Sequence, residues 1–396
     1  MPQNRILKAF ILRRKMLVSH TDLKILSLNV WGVPYVTDKR RRIRALCAAL
    51  AHTDYDIICL QEVWDRKDLR AIITGAAAGG LTYHHYFASQ GYGSGLIVLS
   101  RYPIMKTAFH RFELDGSLGG TWRLHHYLAS KGIGFARVQT PGGELDVYNL
   151  HFVMQIEPPD LHGPHRAAQA HALVQFIGVH TSENPVLVCG DFNMHPHQLP
   201  YDIVITAATL RDAYVEVNGA GDPTYIPENP YVKSPPQRLD YVFVRDGAER
   251  RINTQQAVLD FKFIEDTNRR MAYSDHFGVG LSLSLQDIIT DERPAVDVER
   301  LQDATRKIQD ELERGIITAQ RQRNRLYLQA RFVTLALPLI WWLLPRRYRP
   351  WAVVLLPLLA FVRARLIGGY LKAEIHELEQ AITALRHMEH KETVSM

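Results

Sequence analysis

The sequence predicts an α/β fold built on mixed sheets, and three observations carry that prediction. Short apolar runs rich in β-formers alternate with stretches whose apolar residues fall at helical spacing. Turn residues at Arg101-Tyr102-Pro103 and Pro141-Gly142-Gly143 join neighbouring runs into hairpins, which brings antiparallel pairing into the mix. The first strand leads into Asn29-Val30-Trp31-Gly32 rather than a glycine-rich phosphate turn, so a doubly wound dinucleotide fold is excluded.

Composition sets the outer limits. The 396 residues, 46% hydrophobic and 22% charged, suffice for one large domain with an appendage and exclude a disordered chain. Cys47, Cys59 and Cys189 lie in apolar elements with no paired spacing, so reduced thiols on a cytosol-facing domain are expected rather than a disulfide framework. A net charge of +6 suits nucleic acid and anionic membrane equally.

Residues 1–21 form a basic N-terminal segment, with Arg5, Lys8, Arg13, Arg14 and Lys15 beside Ile6, Leu7, Phe10 and Ile11 at helical spacing. A membrane-surface helix, an organelle-targeting peptide and a disordered leader all fit that pattern, whereas a secretory signal would need a longer apolar run. Residues 23–30 read as a buried strand stopped by Pro34, with Asn29 at its exit. The helix predicted over 38–51 carries Ile43, Leu46, Cys47 and Leu50 on one stripe, with Arg40-Arg41-Arg42 as surface charge.

The strand over 57–60 runs into Gln61-Glu62-Val63-Trp64, so an acid stands where a core strand meets a loop. A hairpin over 96–112 and an antiparallel pair over 131–138 and 144–150 follow, the latter ending at Asn149-Leu150-His151. A helix over 165–181 turns Ala168, Leu173, Phe176 and Ile177 to the core. The run 186–190 is a core strand leaving the sheet at Gly190, just before Asp191 and Asn193. Two residues apart on an extended backbone, these side chains project to one side, where a carboxylate and an amide serve one phosphate or metal; the same spacing also makes an Asx-type turn. Arg211-Asp212-Ala213-Tyr214 and Pro223-Thr224-Tyr225 read as loop anchors, a strand over 238–244 starts near Asp240, and Ser274-Asp275-His276 precedes the last strand.

Six strand exits thus bring Asn29, Glu62, His151, Asp191 with Asn193, Asp240, and Asp275 with His276 to one face. Carboxylate and amide oxygens without cysteine spacing suit a hard divalent ion that keeps waters, Mg²⁺ before Mn²⁺, and disfavour Zn²⁺. Two histidines with buried carboxylates add a base for water, a partner for its tautomer, and donors for an anionic transition state.

Composition changes after Asp287. Residues 289–297 read as a linker and 298–396 as a helical stalk with a membrane hairpin over about 331–366. A charged helix over 298–325 precedes the apolar runs 332–344 and 351–362, and a last helix over 370–390 carries Leu371, Ile375, Leu378 and Ile382 in a stripe able to lie against the charged helix. Each apolar run spans about 20 Å, short of a ~30 Å hydrocarbon core unless Arg331, Arg363 and Arg365 snorkel, so a re-entrant hairpin and two full spans both stay open. Paired tryptophans and basic flanks favour lipid over a protein core.

Taken jointly, Asn29-Val30-Trp31-Gly32-Val33-Pro34, Gln61-Glu62-Val63-Trp64, Gly93-Ser94-Gly95-Leu96, His165-Arg166-Ala167-Ala168-Gln169-Ala170, Cys189-Gly190-Asp191-Phe192-Asn193-Met194-His195-Pro196, Arg238-Leu239-Asp240-Tyr241-Val242 and Ser274-Asp275-His276 make a specific pattern. It resembles the endonuclease/exonuclease/phosphatase superfamily, and within it the membrane-bound neutral sphingomyelinases. The resemblance covers residues 22–288 and implies a catalytic domain there: a deoxyribonuclease I-like, four-layer sandwich of two mixed β-sheets flanked by helices.

It further implies Mg²⁺-dependent, phospholipase C-type hydrolysis of sphingomyelin or a related sphingophospholipid. Glu62 and Asn29 would hold the metal with Asp275 nearby, and His276, oriented by Asp240, would take a proton from the attacking water. Asp191 and Asn193 would position phosphate, His151 would meet the phosphoryl oxygen or leaving alkoxide, and Lys131 of Lys131-Gly132 would meet substrate. Five residues earlier His126 stands where relatives commonly carry an acid. Expected partners are a membrane lipid substrate and anionic lipid at the basic segments, with no nucleic acid. The expected location is the cytosolic side of the endoplasmic reticulum or another endomembrane, with mitochondrial association open. The alternatives are a nuclease, an inositol phosphosphingolipid or lysophospholipid phospholipase C, and an inactive membrane scaffold.

Overall fold

The computed structural model describes residues 21–89, 93–114, 130–155, 160, 162–181, 183–265, 270–288 and 298–395. The expectations for residues 1–20, for the linker 289–297 and for His126 lie outside these. The first sheet contains β1 (Thr21–Asn29), β2 (Ile57–Gln61), β3 (Tyr83–Tyr86), β4 (Ile97–Ser100), β11 (Arg250–Asp260) and β14 (Gly278–Asp287), in the order β11-β14-β1-β2-β4-β3. The second contains β5 (Ile104–Arg111), β6 (Gly132–Thr140), β7 (Gly143–His151), β8 (Val186–Asp191), β9 (Arg211–Asp212) and β10 (Asp240–Arg245), in the order β5-β6-β7-β8-β10-β9. A small ribbon joins β12 (Phe263–Ile264) to β13 (Met271–Ala272).

Period-two alternation decides which layer each side chain joins. In β2, Ile57 and Cys59 enter the core between the sheets, whereas Ile58 and Leu60 pack under helices α1 (Lys39–Leu50) and α2 (Arg66–Ala78). In β8, Leu187 and Cys189 face the other sheet, whereas Val186 and Val188 face α3 (Gly163–His180) and α4 (Leu199–Ala207). Strands buried on both faces need continuous apolar runs, which is why these segments show no polar alternation. The layers are helix, sheet, sheet, helix, the expected sandwich of two mixed sheets. A short helix, α5 (Ala213–Asn218), follows β9, its first turn capped by Asp212.

One expectation is overturned at α1. Arg42 is not surface charge but wholly buried. It lies four residues before Leu46 and eight before Leu50, so the buried stripe includes it. Its guanidinium donates to the carbonyls of Val30 at 3.0 Å, Trp31 at 2.9 Å, Thr37 at 3.1 Å and Tyr273 at 3.1 Å, and lies 4.6 Å from the Trp31 ring. Four loop carbonyls that no strand can pair are satisfied by one side chain.

The appendage consists of two long antiparallel helices, α6 (Val298–Leu343) and α7 (Arg349–Ser395), joined by a 3₁₀ turn at Arg346–Tyr348. The sequence divided stalk from membrane segment by composition, yet each helix runs through that division, because helix propensity does not change where polarity does. The stripe Leu371, Ile375, Leu378 and Ile382 is buried as expected. Its partners include the helices of the sandwich: Ile308, Leu312, Leu378, Ile382 and Leu385 share one core with Ala167, Ala170, Leu173, Ile203 and Val204 of α3 and α4. Beyond the dock, Phe332, Leu335, Trp342, Trp351 and Phe361 are exposed, and residues Trp351–Thr383 are long and apolar enough to cross a membrane.

Candidate active site

Strand register assembles the site. The parallel pair β1/β2 sets Asn29 opposite Gln61, and the parallel pair β7/β8 sets His151 opposite Asp191. Antiparallel β10 begins with Asp240 opposite the same Asp191. The C-terminal ends of four strands therefore meet the N-terminal end of β10, and the loop before β14 adds Asp275 and His276. Gly190 permits this closeness, since a Cβ there would collide with the Leu150 carbonyl oxygen of β7. Gly32 does the same against the Glu62 carbonyl.

The chain pays for the convergence with strained backbone, since Trp31, Glu62 and Asn193 hold positive φ angles of 48°, 61° and 47°. L-residues adopt that region at a cost and concentrate it at functional sites.

All the residues expected at the site converge except in detail. The Asn29 amide nitrogen bridges two carboxylates, Glu62 Oε1 at 3.1 Å and Asp191 Oδ2 at 3.0 Å, while its oxygen accepts from the Trp31 amide at 2.9 Å. Asn29 is thus a donor here, spacing the carboxylates. Asp191 makes the Asx turn of its tripeptide, Oδ1 accepting the Asn193 amide at 3.0 Å, while Oδ2 accepts from Asn29. His151 Nε2 lies 3.4 Å from that Oδ2 and 4.0 Å from Glu62 Oε1.

Lys131 is 3% exposed, its Nζ 2.8 Å from His151 Nε2 and donating to the Phe152 carbonyl at 2.9 Å. Asn193 Nδ2 donates to the same carbonyl at 3.2 Å.

His276 Nδ1 meets Asp240 Oδ2 at 2.8 Å, and the Thr224 hydroxyl donates to that same oxygen at 2.5 Å. This fixes the ring and leaves Nε2 turned to Asp191 Oδ2 at 3.9 Å and Asp275 Oδ1 at 4.0 Å. Burial opposes charging His276, but Asp240, Asp191 and Asp275 together hold its pKa well above the usual histidine value. Burial pushes the Asp191 carboxyl up to about 7 and the Asp275 carboxyl up to about 6, with Glu62 adding to the rise at Asp275.

A metal fits this donor set. One oxygen or nitrogen each of Asp191, Asp240 and His276 lies within 4.8 Å of the others. His276 and Asp240, however, already bond each other through Nδ1 and Oδ2, which favours the Asp191 side, with Glu62 and Asp275, as the nest. Crowded, partly buried carboxylates free of cysteine suit a hard divalent cation.

Sequence reasoning missed Thr224 and Tyr225, read only as loop anchors. The Tyr225 ring lies 5.0 Å from that of His276, and burial with Asp275, Asp191 and Glu62 pushes its phenol up to about 12. No periodicity marks such a loop, and neither residue is an acid or base at neutral pH. Arg42 and the Gln61–Asn149 bridge between the sheets, at 2.8 Å, were likewise unseen as supports.

The model of the Endonuclease/Exonuclease/phosphatase family matches residues 26–276. Among curated proteins, the chain is 32% identical over 273 residues to a putative neutral sphingomyelinase of Drosophila melanogaster, covering 67% of this chain and 61% of that protein. It is 31% identical over 322 residues to sphingomyelin phosphodiesterase 2 of Rattus norvegicus, covering 75% and 74%. The chain therefore spans about three fifths of the length of the fly relative, 61%.

Among solved structures, D. rerio TDP2 complexed with a single-strand DNA product matches with a TM-score of 0.54 at 19% identity, covering 66% of this chain and 99% of that one. A Staphylococcus aureus beta toxin with bound magnesium ions matches at 0.51 and 16%, covering 66% and 99%. Identities this low speak for the fold.

Proposed function

The chain belongs to the endonuclease/exonuclease/phosphatase family, and on that premise we propose that it is a membrane-anchored, Mg²⁺-dependent phosphodiesterase that cleaves sphingomyelin to ceramide and phosphocholine. The observation that carries this is the buried His276–Asp240 pair, 2.8 Å apart, opening onto Asp191 beside Glu62. The neutral sphingomyelinase relatives supply the substrate class, and the apolar surface of α6 and α7 suits an enzyme that works at a bilayer. The catalytic domain corresponds to residues 22–288 and the anchor to 298–396, with the catalytic face on the cytosolic side of an endomembrane.

In this reading Asp240 holds the imidazole with Nδ1 protonated, so that Nε2 is the atom that takes the proton of the attacking water. Asn29 spaces Glu62 and Asp191 so that both carboxylates, with Asp275, can hold the cation. When bound, the divalent cation polarises the phosphoryl oxygen and offsets the carboxylate charge that otherwise holds His276 protonated. His151, kept in place by Lys131, faces the leaving alkoxide, and Asn193 faces the phosphate. Mg²⁺ is preferred over Mn²⁺ because an oxygen-rich, partly open nest leaves it its waters.

The test is purified protein with Mg²⁺ on mixed vesicles of sphingomyelin, inositol phosphoceramide and lysophospholipid, with single-stranded DNA in the same tube and water-soluble products identified. Phosphocholine released from sphingomyelin is the expected product. Preferential nucleotide release would overturn the lipid assignment.

A further inference from the structure

We propose that Tyr225 is a further catalytic residue, its hydroxyl donating a hydrogen bond to a non-bridging phosphoryl oxygen of the bound diester. The inference rests on the phosphodiesterase reading above and adds a residue to it.

The Tyr225 backbone is clamped on both sides: its N–H donates to the Gln237 carbonyl at 2.9 Å and its carbonyl accepts from the Gln237 N–H at 2.8 Å. The preceding Thr224 is fixed by its hydroxyl bond to Asp240 and by accepting the Phe277 amide at 2.8 Å. The ring therefore stands beside His276 at 5.0 Å, tilted by 57°. Its phenol feels Asp275, Asp191 and Glu62, the three carboxylates gathered around the candidate metal nest. Ring and phenol thus stand at the border of the His276 and carboxylate cluster.

Two further features separate this hydroxyl from its neighbours. Asn193 and Lys131, the donors expected from the sequence, both already donate to the Phe152 carbonyl. Among the described residues the Tyr225 hydroxyl has no such partner. A positioned donor with no hydrogen-bond partner among the described residues, beside the base and the carboxylates, is preorganised for a ligand oxygen. The high phenol pKa keeps it a donor rather than a second base throughout the neutral range.

The experiment compares wild type with Tyr225→Phe in the Mg²⁺-loaded full-length protein on sphingomyelin vesicles. The variant keeps the ring against His276 and removes only the hydroxyl. Loss of one oxyanion donor predicts a fall in kcat on the order of 10- to 100-fold, with KM, thermal midpoint and the pH at half-maximal rate unchanged. A kcat within about twofold of wild type would overturn the proposal. So would a loss of kcat that tracks a lowered thermal midpoint, since that marks a structural role. If wild type releases no phosphodiester product at all, the function reading fails and this inference with it.

Discussion

The Gln61 amide of one sheet donates to Asn149 Oδ1 of the other at 2.8 Å, and the Asn149 amide donates in turn to the Leu60 and Ile97 carbonyls at 3.0 Å each. Both side chains are wholly buried, next to Glu62 and two residues before His151. This polar clasp sits directly behind the candidate site and ties the two sheets together.

Cutting the clasp is expected to destabilise and to misplace the site. Asn149→Ala strands the Leu60 and Ile97 carbonyls and removes the nearest acceptor of the Gln61 amide, for a loss of about 3 kcal/mol, and Gln61→Leu costs about 2 kcal/mol. Because the pair is in direct contact, the double variant should lose less than the two singles combined, by about 1 kcal/mol. Denaturant titration of the four proteins measures this, and strict additivity would show that the contact carries no energy.

The His276–Asp240 pair predicts a graded loss of activity. His276→Ala removes the proton acceptor and should lower kcat by about 10³-fold or more while the fold survives, since the ring lies at the cleft and not in a hydrophobic core. Asp240→Asn keeps the shape but frees the ring to choose the wrong tautomer, for a smaller loss of roughly 10²-fold. Steady-state rates on sphingomyelin vesicles decide it, and near-normal turnover by His276→Ala would remove the proposed base.

Glu62 carries the metal assignment. Glu62→Gln should raise the Mg²⁺ concentration for half-maximal activity by about 10- to 100-fold and leave part of the rate recoverable at saturation. A Mg²⁺ titration of initial rate reads this directly. An unchanged midpoint would move the metal away from Glu62.

The charge crowding makes a prediction about metal-free stability. Asp191 at about 7 and Asp275 at about 6 bind protons more tightly folded than unfolded, and His276 is raised in the same sense. By linkage, the stability these groups contribute is complete below their unfolded values, about 4 for the carboxyls and about 6.5 for histidine, and is lost as pH rises through the folded values. The thermal midpoint of metal-free protein should therefore decline from pH 5 to pH 8, and Mg²⁺ should flatten the decline. Asp191→Asn, lacking the group with the value nearest 7, should decline less steeply. Equal slopes in variant and wild type would contradict the assignment.

Much of this was legible in the chain itself, because it is local. The short apolar runs over 57–60 and 186–190 named two core strands, and the polar residue just past each run marked a strand exit, as with Glu62 and Asp191. The stripe from Leu371 to Ile382 named a buried helical face in the same way.

What stayed hidden depends on residues far apart. No short-range pattern shows that the Arg42 guanidinium reaches the Tyr273 carbonyl 231 positions away, that Gln61 finds Asn149, that the Asn29 amide turns its nitrogen rather than its oxygen to two carboxylates, or that Tyr225 stands beside His276. Nor could it show that the stalk packs against α3 and α4 through Leu312 and Leu378. The sequence by itself determined which groups leave the sheets, since side-chain direction follows from a two-residue repeat. Which of those groups touch, and which lone pair or proton each presents, was decided only by strand register and sheet packing, because hydrogen bonds are set by tenths of an ångström between segments that the chain order does not relate.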